Sequence, residues 1–522
     1  MNVQPISIQS TRSNVMYGSC LGQNGVTNNV GMALHGMKRV KYSQIRGSAT
    51  SGIDAVSVCV ETSIVAGIPR HTIVGLPNNA VKEALDRIRA SIYASGFEMP
   101  KGAVTVNLAP ADIRKEGTLY DLPIAIGILV ADGMVKPKVN LEAYLILGEL
   151  ALNGSVRPVK GILSAVLGAM RGGYSKVMVP WENYHEAQVI AEIEVIPVTS
   201  LSHSIRVITG CPPDEGPISP PQIATLGLYS GDFSDVLGQE HAKRGLEIAA
   251  VGRHNLLLIG PPGCGKTMLA RSFKGILGSW TREEQLESTS IHSLRGHAAH
   301  GLLVGRPFRS PHHSISKAGL LGGGNPTLPG EISLAHNGVL FLDELAEFDR
   351  STLEGLREPL EEGKVIISRA SGAIEYPARF QLIGAMNPCP CGFSGSDRHT
   401  CSCSSTDKFR YRAKTSGPLL DRIDMKMVLK DVDPTHSHRK AESSDAIRDR
   451  VEKARVIFDK GKEIPIPEEV TQLLNRSVMR LGLTMRSRDR TANLSRSIAA
   501  LKGRAIPRSS DLAEAITYRV HG

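Results

Sequence analysis

The chain has 522 residues, 41% of them hydrophobic and 21% charged, and its 61 Lys and Arg outnumber 51 Asp and Glu for a formal net charge of +10. That length supports about three domains of ordinary size, and the composition excludes disordered and collagen-like classes. The longest apolar run, LPIAIGILVADGMV, contains Asp132 and falls short of the roughly 20 residues a membrane span needs. The N-terminus has no apolar h-region, so it does not read as a secretory signal. We therefore expect no membrane partner and a cytoplasmic location. The 8 cysteines would then sit in a reducing compartment, where a cluster is more often metal-binding or catalytic than disulfide-bonded. A basic balance suits a polyanionic partner, but total charge says less than where the charge lies.

Residues 1–36 are polar and aperiodic, and read as a disordered extension or as a start placed before the true one at Met37. Residues 37–209 alternate strand-like runs (IDAVSVCVETSIV, HTIVGLP, AVTVNLAP) with helical ones (AVKEALDRIRASIYASG, DLPIAIGILVADG), an α/β or α+β pattern. Within them NLAPADIRKEGTLYDLPIAIG and GELALNGSVRPVKGI resemble the Lon-protease C-terminal-like domain of magnesium-chelatase-like proteins. Lon-type proteolysis needs a serine activated by a lysine. Here the loop after KEG offers Thr118 to Asp121 and no serine, and Leu163 stands where the lysine would be. The resemblance thus implies a scaffold or DNA-contacting domain rather than a protease. The proline-rich CPPDEGPISPPQ lies in a linker, residues 210–231.

Residues 232–434 carry the chemistry. An apolar strand, Asn255 to Ile259, runs into Gly260, Pro261, Pro262, Gly263, Cys264, Gly265, Lys266 and Thr267, and an amphipathic helix follows. In this G-x-x-x-x-G-K-T arrangement backbone N–H groups curl round phosphates, Lys266 reaches the β/γ oxygens and the Thr267 hydroxyl binds Mg²⁺. A second strand, in NGVLFLDELAEF, ends in Asp343, placed to hold Mg²⁺, and Glu344, placed to polarise the attacking water. A third, FQLIGAMN, ends in Asn387, a neutral amide suited to sensing the γ-phosphate. P-loop, acidic pair and sensor asparagine in that order are the order of an AAA+ ATPase, so ATP and Mg²⁺ are the expected cofactors. Cys389, Cys391, Cys401 and Cys403 follow at once, as two C-x-C pairs in an insertion spanning 389–403. Four thiolates around a structural Zn²⁺ would rigidify that loop, with His399 a substitute ligand; free cysteines in a loop are the other reading.

Arg422, in LLDR, resembles the arginine finger of the magnesium-chelatase and MCM clade, which reaches a neighbouring subunit's nucleotide; an ion pair with Asp421 or Asp424 is the other reading. Residues 435–522 read as a helical lid, in which Arg486 is the sensor-2 candidate over the nucleotide. Together HTIVGLPNNAVKEALDRIRAS, RPFRSPHHSISKAGLLGGG, PGEISLAHNGVLFLDELAEF and SGPLLDRID resemble the YifB/ComM family of magnesium-chelatase-like competence ATPases. The resemblance implies a homo-hexameric, ATP-driven helicase promoting branch migration during natural transformation. A magnesium-chelatase motor subunit and an ATP-switched scaffold that does not move DNA are the alternatives. Cys264 departs from the family's usual threonine; at a helix N-terminus, which lowers a thiol's pKa, it is expected to be oxidisable.

Two segments support single-stranded and branched DNA as partner. Arg306 to Gly324 is basic and glycine-punctuated, and contributes Arg306, Arg309 and Lys317. KVIISRASGAIEYPARF reads as strand–turn–strand with Arg369 near the tip. Such loops suit phosphate contacts, although a solvated loop has the same composition. The fold expected is α/β: a Lon-protease-like N-terminal domain joined to a P-loop AAA+ core with a parallel sheet and a helical lid.

Overall fold

The computed structural model describes residues 40–77, 79–113, 115, 117–211, 231–298, 301–369, 372–431, 442–482 and 484–520. The expectations for residues 1–36 and for most of the linker 210–231 lie outside them.

The first part of the chain builds a mixed sheet from β1 (Lys41–Ser51), β2 (Asp54–Ala66), β3 (Arg70–Val74) and β4 (Gly102–Ala109), in the order β1-β2-β4-β3. Buried and exposed residues alternate along β4, so one face meets the core. Helices α1 (Asn79–Ala94) and α2 (Asp121–Asp132) belong to the same core, and α2 is buried almost all round because its sequence is apolar all round. A parallel three-stranded sheet follows: β5 (Tyr144–Ile146), β6 (Lys176–Pro180) and β7 (Glu194–Val198), with α3 (Ile162–Arg171) between its first two strands.

Thr118 lies in the loop after KEG, and Leu163 at the position where the resemblance would put the lysine. Thr118 donates to Glu149 at 2.5 Å, and the Leu163 side chain is fully buried with its N–H on Glu186 at 3.1 Å.

The second part is organised by five parallel strands: β8 (Leu256–Ile259), β9 (Phe308–Arg309), β10 (Val339–Leu342), β13 (Gln381–Met386) and β14 (Met425–Val428). The hairpin β11 (Lys364–Arg369) and β12 (Gly372–Pro377) precedes β13 in the chain. The sheet order is β9-β10-β13-β8-β14, so the fourth strand, β13, inserts between the third and the first, as in AAA+ cores. LLLI, VLFL and QLIGAM are continuous apolar strings because a parallel sheet is covered on both faces. The one polar side chain in them, Gln381, donates to the carbonyls of Ala249 and His254 at 2.9 and 2.6 Å.

Around the sheet pack α4 (Glu240–Gly252), α5 (Lys266–Ile276) and α6 (Arg282–Leu294), then α7 (Ser444–Gly461), with α8 (Glu468–Leu481) packed on α9 (Met485–Leu501) and α10 (Ser509–Val520). Ile447, Val451, Phe458, Leu494, Ile498 and Tyr518 of the last group share one core with β8, α4 and α5.

The two parts are bolted through α6. Gly161 N–H donates to the Ser293 carbonyl at 3.1 Å, Arg282 to the Val189 carbonyl at 2.7 Å, and the Ser293 hydroxyl to Glu186. Glu186 is 3% exposed, and burial raises its pKa against the hydrogen bonds it accepts.

Candidate nucleotide site

Register decides what meets at the end of the sheet. Ile259 pairs with Met386 and Leu342 with Gly384, so the chain leaves β8, β10 and β13 at one edge, at Gly260, Asp343 and Asn387. There the Lys266 ammonium donates to the carbonyls of Gly260 and Pro261 at 2.7 and 2.9 Å and to Asn387 Oδ1 at 3.1 Å. The Thr267 hydroxyl donates to Asp343 Oδ2 at 2.8 Å. Burial lowers the Lys266 pKa against the pull of nearby acids, Asp343 and Glu344 among them.

Gly263 and Gly265 turn with φ of +78° and +93°, and a Cβ at either would meet no atom within 4 Å. The loop is therefore an open cradle at the N-terminus of α5, the arrangement that takes phosphates. Its residues fit ATP and Mg²⁺: an ammonium beside the loop, a glycine-opened turn at a helix N-terminus, and a hydroxyl beside a carboxylate. Gln239 fastens the far side by donating to the carbonyls of Cys264 and Lys430 at 3.2 and 2.7 Å.

Glu344 follows with φ of +52°, a left-handed backbone that a non-glycine residue rarely adopts and that marks many functional turns. Its carboxylate is 58% exposed and stands 3.4 Å from Nδ1 of His313. That histidine belongs to the segment after β9, the strand beside β10, and reading it only as part of a basic loop missed this contact. The adjacency of β9 and β10 is the signal, and it is not local in sequence.

Cys264 corrects an expectation. It is 2% exposed, with its sulfur against Gly260, and burial raises its pKa. The interior position outweighs the helix N-terminus, so the thiol is neither acidic nor accessible.

Arg422 and Arg486 lie elsewhere. Arg422 precedes β14, whose first residue, Met425, pairs with Leu256, so it sits at the edge where the strands begin. It is ion-paired with neither Asp421 nor Asp424: it pairs with Glu361 at 2.8 Å and donates to the carbonyls of Arg357 and Pro418. Arg486 reaches the same Glu361 at 2.9 Å. Arg486, the sensor-2 candidate over the nucleotide, thus lies away from the P-loop of its own chain: the N-terminus of α9 is tied to the opposite edge, by Ser487 on Asp421 at 3.0 Å and Arg490 on Asp424 at 2.7 Å.

Comparison with known proteins agrees with this architecture. A family model described as magnesium chelatase, subunit ChlI, matches residues 232–437, its C-terminal counterpart matches 441–519, and a subunit ChlI model matches 60–183. The YifB protein of Salmonella typhimurium LT2 is 42% identical over 489 residues, covering 90% of this chain and 96% of its own length. Competence protein ComM of Haemophilus influenzae Rd is 39% identical over 495 residues, covering 90% and 96%. The chain belongs to the YifB/ComM family. The magnesium-chelatase 67 kDa subunit of Chlorobaculum parvum, by contrast, is 29% identical over 158 residues, 30% of this chain and 23% of that one.

In this YifB/ComM protein the basic residues expected on DNA divide. Arg306 is 7% exposed and is spent inside the fold, on the carbonyls of Gly278, Asn337 and Ser279 and on Glu284 at 2.9 Å. Burial lowers its pKa to about 10, and the expectation that it meets phosphates is corrected. Arg309 holds Glu331 with two bonds of 2.6 and 2.7 Å. Lys317 is exposed at the start of a short helix capped by Ser316. Arg369 pairs with Gly372 beside the hairpin tip, while its side chain and residues 370 and 371 lie outside the described residues.

The four cysteines of the insertion do converge. Their sulfurs all lie within 4.8 Å of one another, and none is in a disulfide. His399 turns away to pack its ring on Phe393, with centroids 4.7 Å apart.

Proposed function

We propose that this protein is an ATP-hydrolysing motor that works as a cytoplasmic homo-hexamer on single-stranded and branched DNA and drives branch migration in natural transformation and recombination. The observation that carries the reading is the division of the ATPase parts between two edges of one sheet. Lys266, Thr267, Asp343, Glu344 and Asn387 stand at one edge, and Arg422 with Arg486 at the other. A subunit cannot bring its own finger to its own nucleotide, so the parts join only when one edge docks on the next subunit's opposite edge. A closed ring satisfies that for every copy.

ATP with Mg²⁺ supplies the phosphoryl group and neutralises its developing charge. The protein's residues do the rest. Gly263 and Gly265 open the cradle, Lys266 takes phosphate charge, and Thr267 with Asp343 holds the ion. Asn387 orients water, and Glu344 accepts its proton. Arg422 and Arg486 of a neighbour close the site, and Cys389, Cys391, Cys401 and Cys403 would hold a zinc ion that would stiffen the loop after Asn387. DNA meets exposed positions such as Lys317 and the tip of the β11–β12 hairpin, where Arg369 lies.

The relative named a competence protein supports the DNA reading. No helix among the described residues is long and apolar enough to cross a membrane. The deciding experiment is ATP-dependent resolution of a labelled three- or four-way junction, with Glu344→Gln alongside. Resolution by wild type, with binding but no resolution by the variant, supports the motor. ATP hydrolysis that leaves the junction intact points instead to a scaffold or a chelatase-type motor.

A further inference from the structure

The loop 387–404 contains no helix or strand, yet it starts at the nucleotide site. Loops of that length without secondary structure are uncommon unless something staples them. Phe393 is the one large apolar side chain within it, too little for a core. Its staple is the sulfur cluster. Cys389 Sγ lies 3.4 Å from Cys391 and 3.7 Å from Cys401, and Cys391 lies 3.6 Å from Cys401.

These separations are far beyond a disulfide bond. They match the edge of a tetrahedron around zinc, about 3.8 Å for Zn–S bonds of about 2.3 Å. Two backbone N–H groups already point at sulfur, Ser394 to Cys389 at 3.3 Å and Cys391 to Cys403 at 3.4 Å. Such donors stabilise the thiolates that remain once zinc has displaced the four protons.

What the cluster touches gives it a task. Asn387, two residues before the fully buried Cys389, carries the oxygen that accepts from Lys266. Gly392, held between Cys391 and the rest of the loop with φ of +86°, lies against the P-loop. A Cβ there would come within 2.7 Å of Pro262 Cδ, and 3.9 Å from Asn387 Cγ. The far side is anchored by Asp431, which accepts from the Ser396 hydroxyl at 2.7 Å and the Asp397 N–H at 3.1 Å.

We propose that zinc at Cys389, Cys391, Cys401 and Cys403 is a positioning centre for ATP hydrolysis, holding the Asn387 amide and Pro262 of the P-loop in register through the Cys389 and Gly392 backbone. The role rests on the reading of the P-loop as a nucleotide site, and the zinc itself does not touch the reacting atoms. Losing the metal should therefore disturb hydrolysis more than the binding of a diphosphate, which lacks the γ-phosphate that Asn387 is read as sensing.

The test uses the full chain purified without added metal. Metal analysis should find one zinc per chain, retained in Cys211→Ser, whose exposed cysteine lies outside the cluster, and lost in Cys401→Ser. Zinc release from wild type with a mercurial, followed by thiol regeneration, gives a zinc-free protein that does not depend on the variant folding. Zinc-free protein should lose about tenfold or more in ATPase rate while its affinity for a fluorescent ADP analogue changes by less than about threefold. Zinc, and not magnesium, should restore the rate. Full-length protein that carries no zinc as purified overturns the proposal, as does zinc-free protein of undiminished rate. Should wild type hydrolyse no ATP, the motor reading fails by itself. The proposal is then judged by displacement of a γ-thio triphosphate, which zinc loss must weaken more than ADP.

Discussion

His313 Nδ1 stands 3.4 Å from Glu344 Oε2, in the segment that follows β9, the strand neighbouring the one that delivers the candidate base. A carboxylate that shares its oxygen with an imidazole is less free to take a proton from water. The same segment carries exposed Lys317, so a strand of nucleic acid laid along it would pull on the histidine. We expect His313→Ala to raise DNA-independent ATPase by about threefold and to shrink the further stimulation by DNA, with ATP affinity unchanged. Steady-state ATPase with and without single-stranded DNA checks it. A fall in rate at both conditions would give the histidine a direct part in the chemistry instead.

Arg306 is expected to behave as part of the interior. Its guanidinium neutralises Glu284, whose carboxyl burial would raise but which Arg253 and Arg306 hold down to about 2. Removing one partner of such a pair leaves a charge poorly compensated, at a cost of roughly 3–5 kcal/mol. Arg306→Ala should thus lower the denaturation midpoint while leaving the salt dependence of DNA binding unchanged. Lys317→Ala should do the reverse, keeping stability and reducing the salt slope by about 1.

How much of this was legible in the string follows from how far each signal reaches. Asp343 and Asn387 each close an apolar run and Lys266 ends the glycine-rich loop that follows a third, all local features, so the site edge could be read residue by residue. The four cysteines were legible for the same reason. Arg306 looked like surface because it opens a basic, glycine-punctuated segment, but its fate is set by Glu284, on a helix earlier in the chain. Arg486 was expected above the P-loop because it opens a helix after the core. Ion pairing to Glu361 and docking on Asp421 and Asp424 carry that helix to the other edge, and nothing within α9 announces such partners. His313 needed the β9–β10 pairing.

With Arg422 and the P-loop on opposite edges, activity should be shared between subunits. Arg422→Ala and Lys266→Ala should each abolish ATPase, the former by about 10³-fold or more. Mixed in equal amounts and reassembled, the two inactive proteins should regain up to roughly a quarter of wild-type rate, since half the P-loops then meet half the intact fingers. Continued inactivity of the mixture, with size-exclusion confirming mixed rings, would mean that both residues serve one chain.

The N-terminal part offers a pH signature. Asp121 opens α2 inside the core, accepting from Arg87 at 2.9 and 3.1 Å and from Leu150 N–H at 3.2 Å. Burial pushes its carboxyl from 3.8 up to about 6, against the pull of Arg87. A folded-state value above the unfolded one favours folding while the group is protonated. That contribution is complete below about 3.8 and lost as pH rises through about 6. The whole effect is on the order of 3 kcal/mol, at 1.36 kcal/mol per unit. Asp121→Asn cannot titrate. The stability of wild type relative to this variant should therefore fall from about pH 4 to about pH 6 and level off above that, whatever constant offset the lost charge pair with Arg87 adds. Parallel denaturation series across that range measure the slope, and a wild-type advantage that grows with pH would show instead that the Arg87 pair outweighs burial.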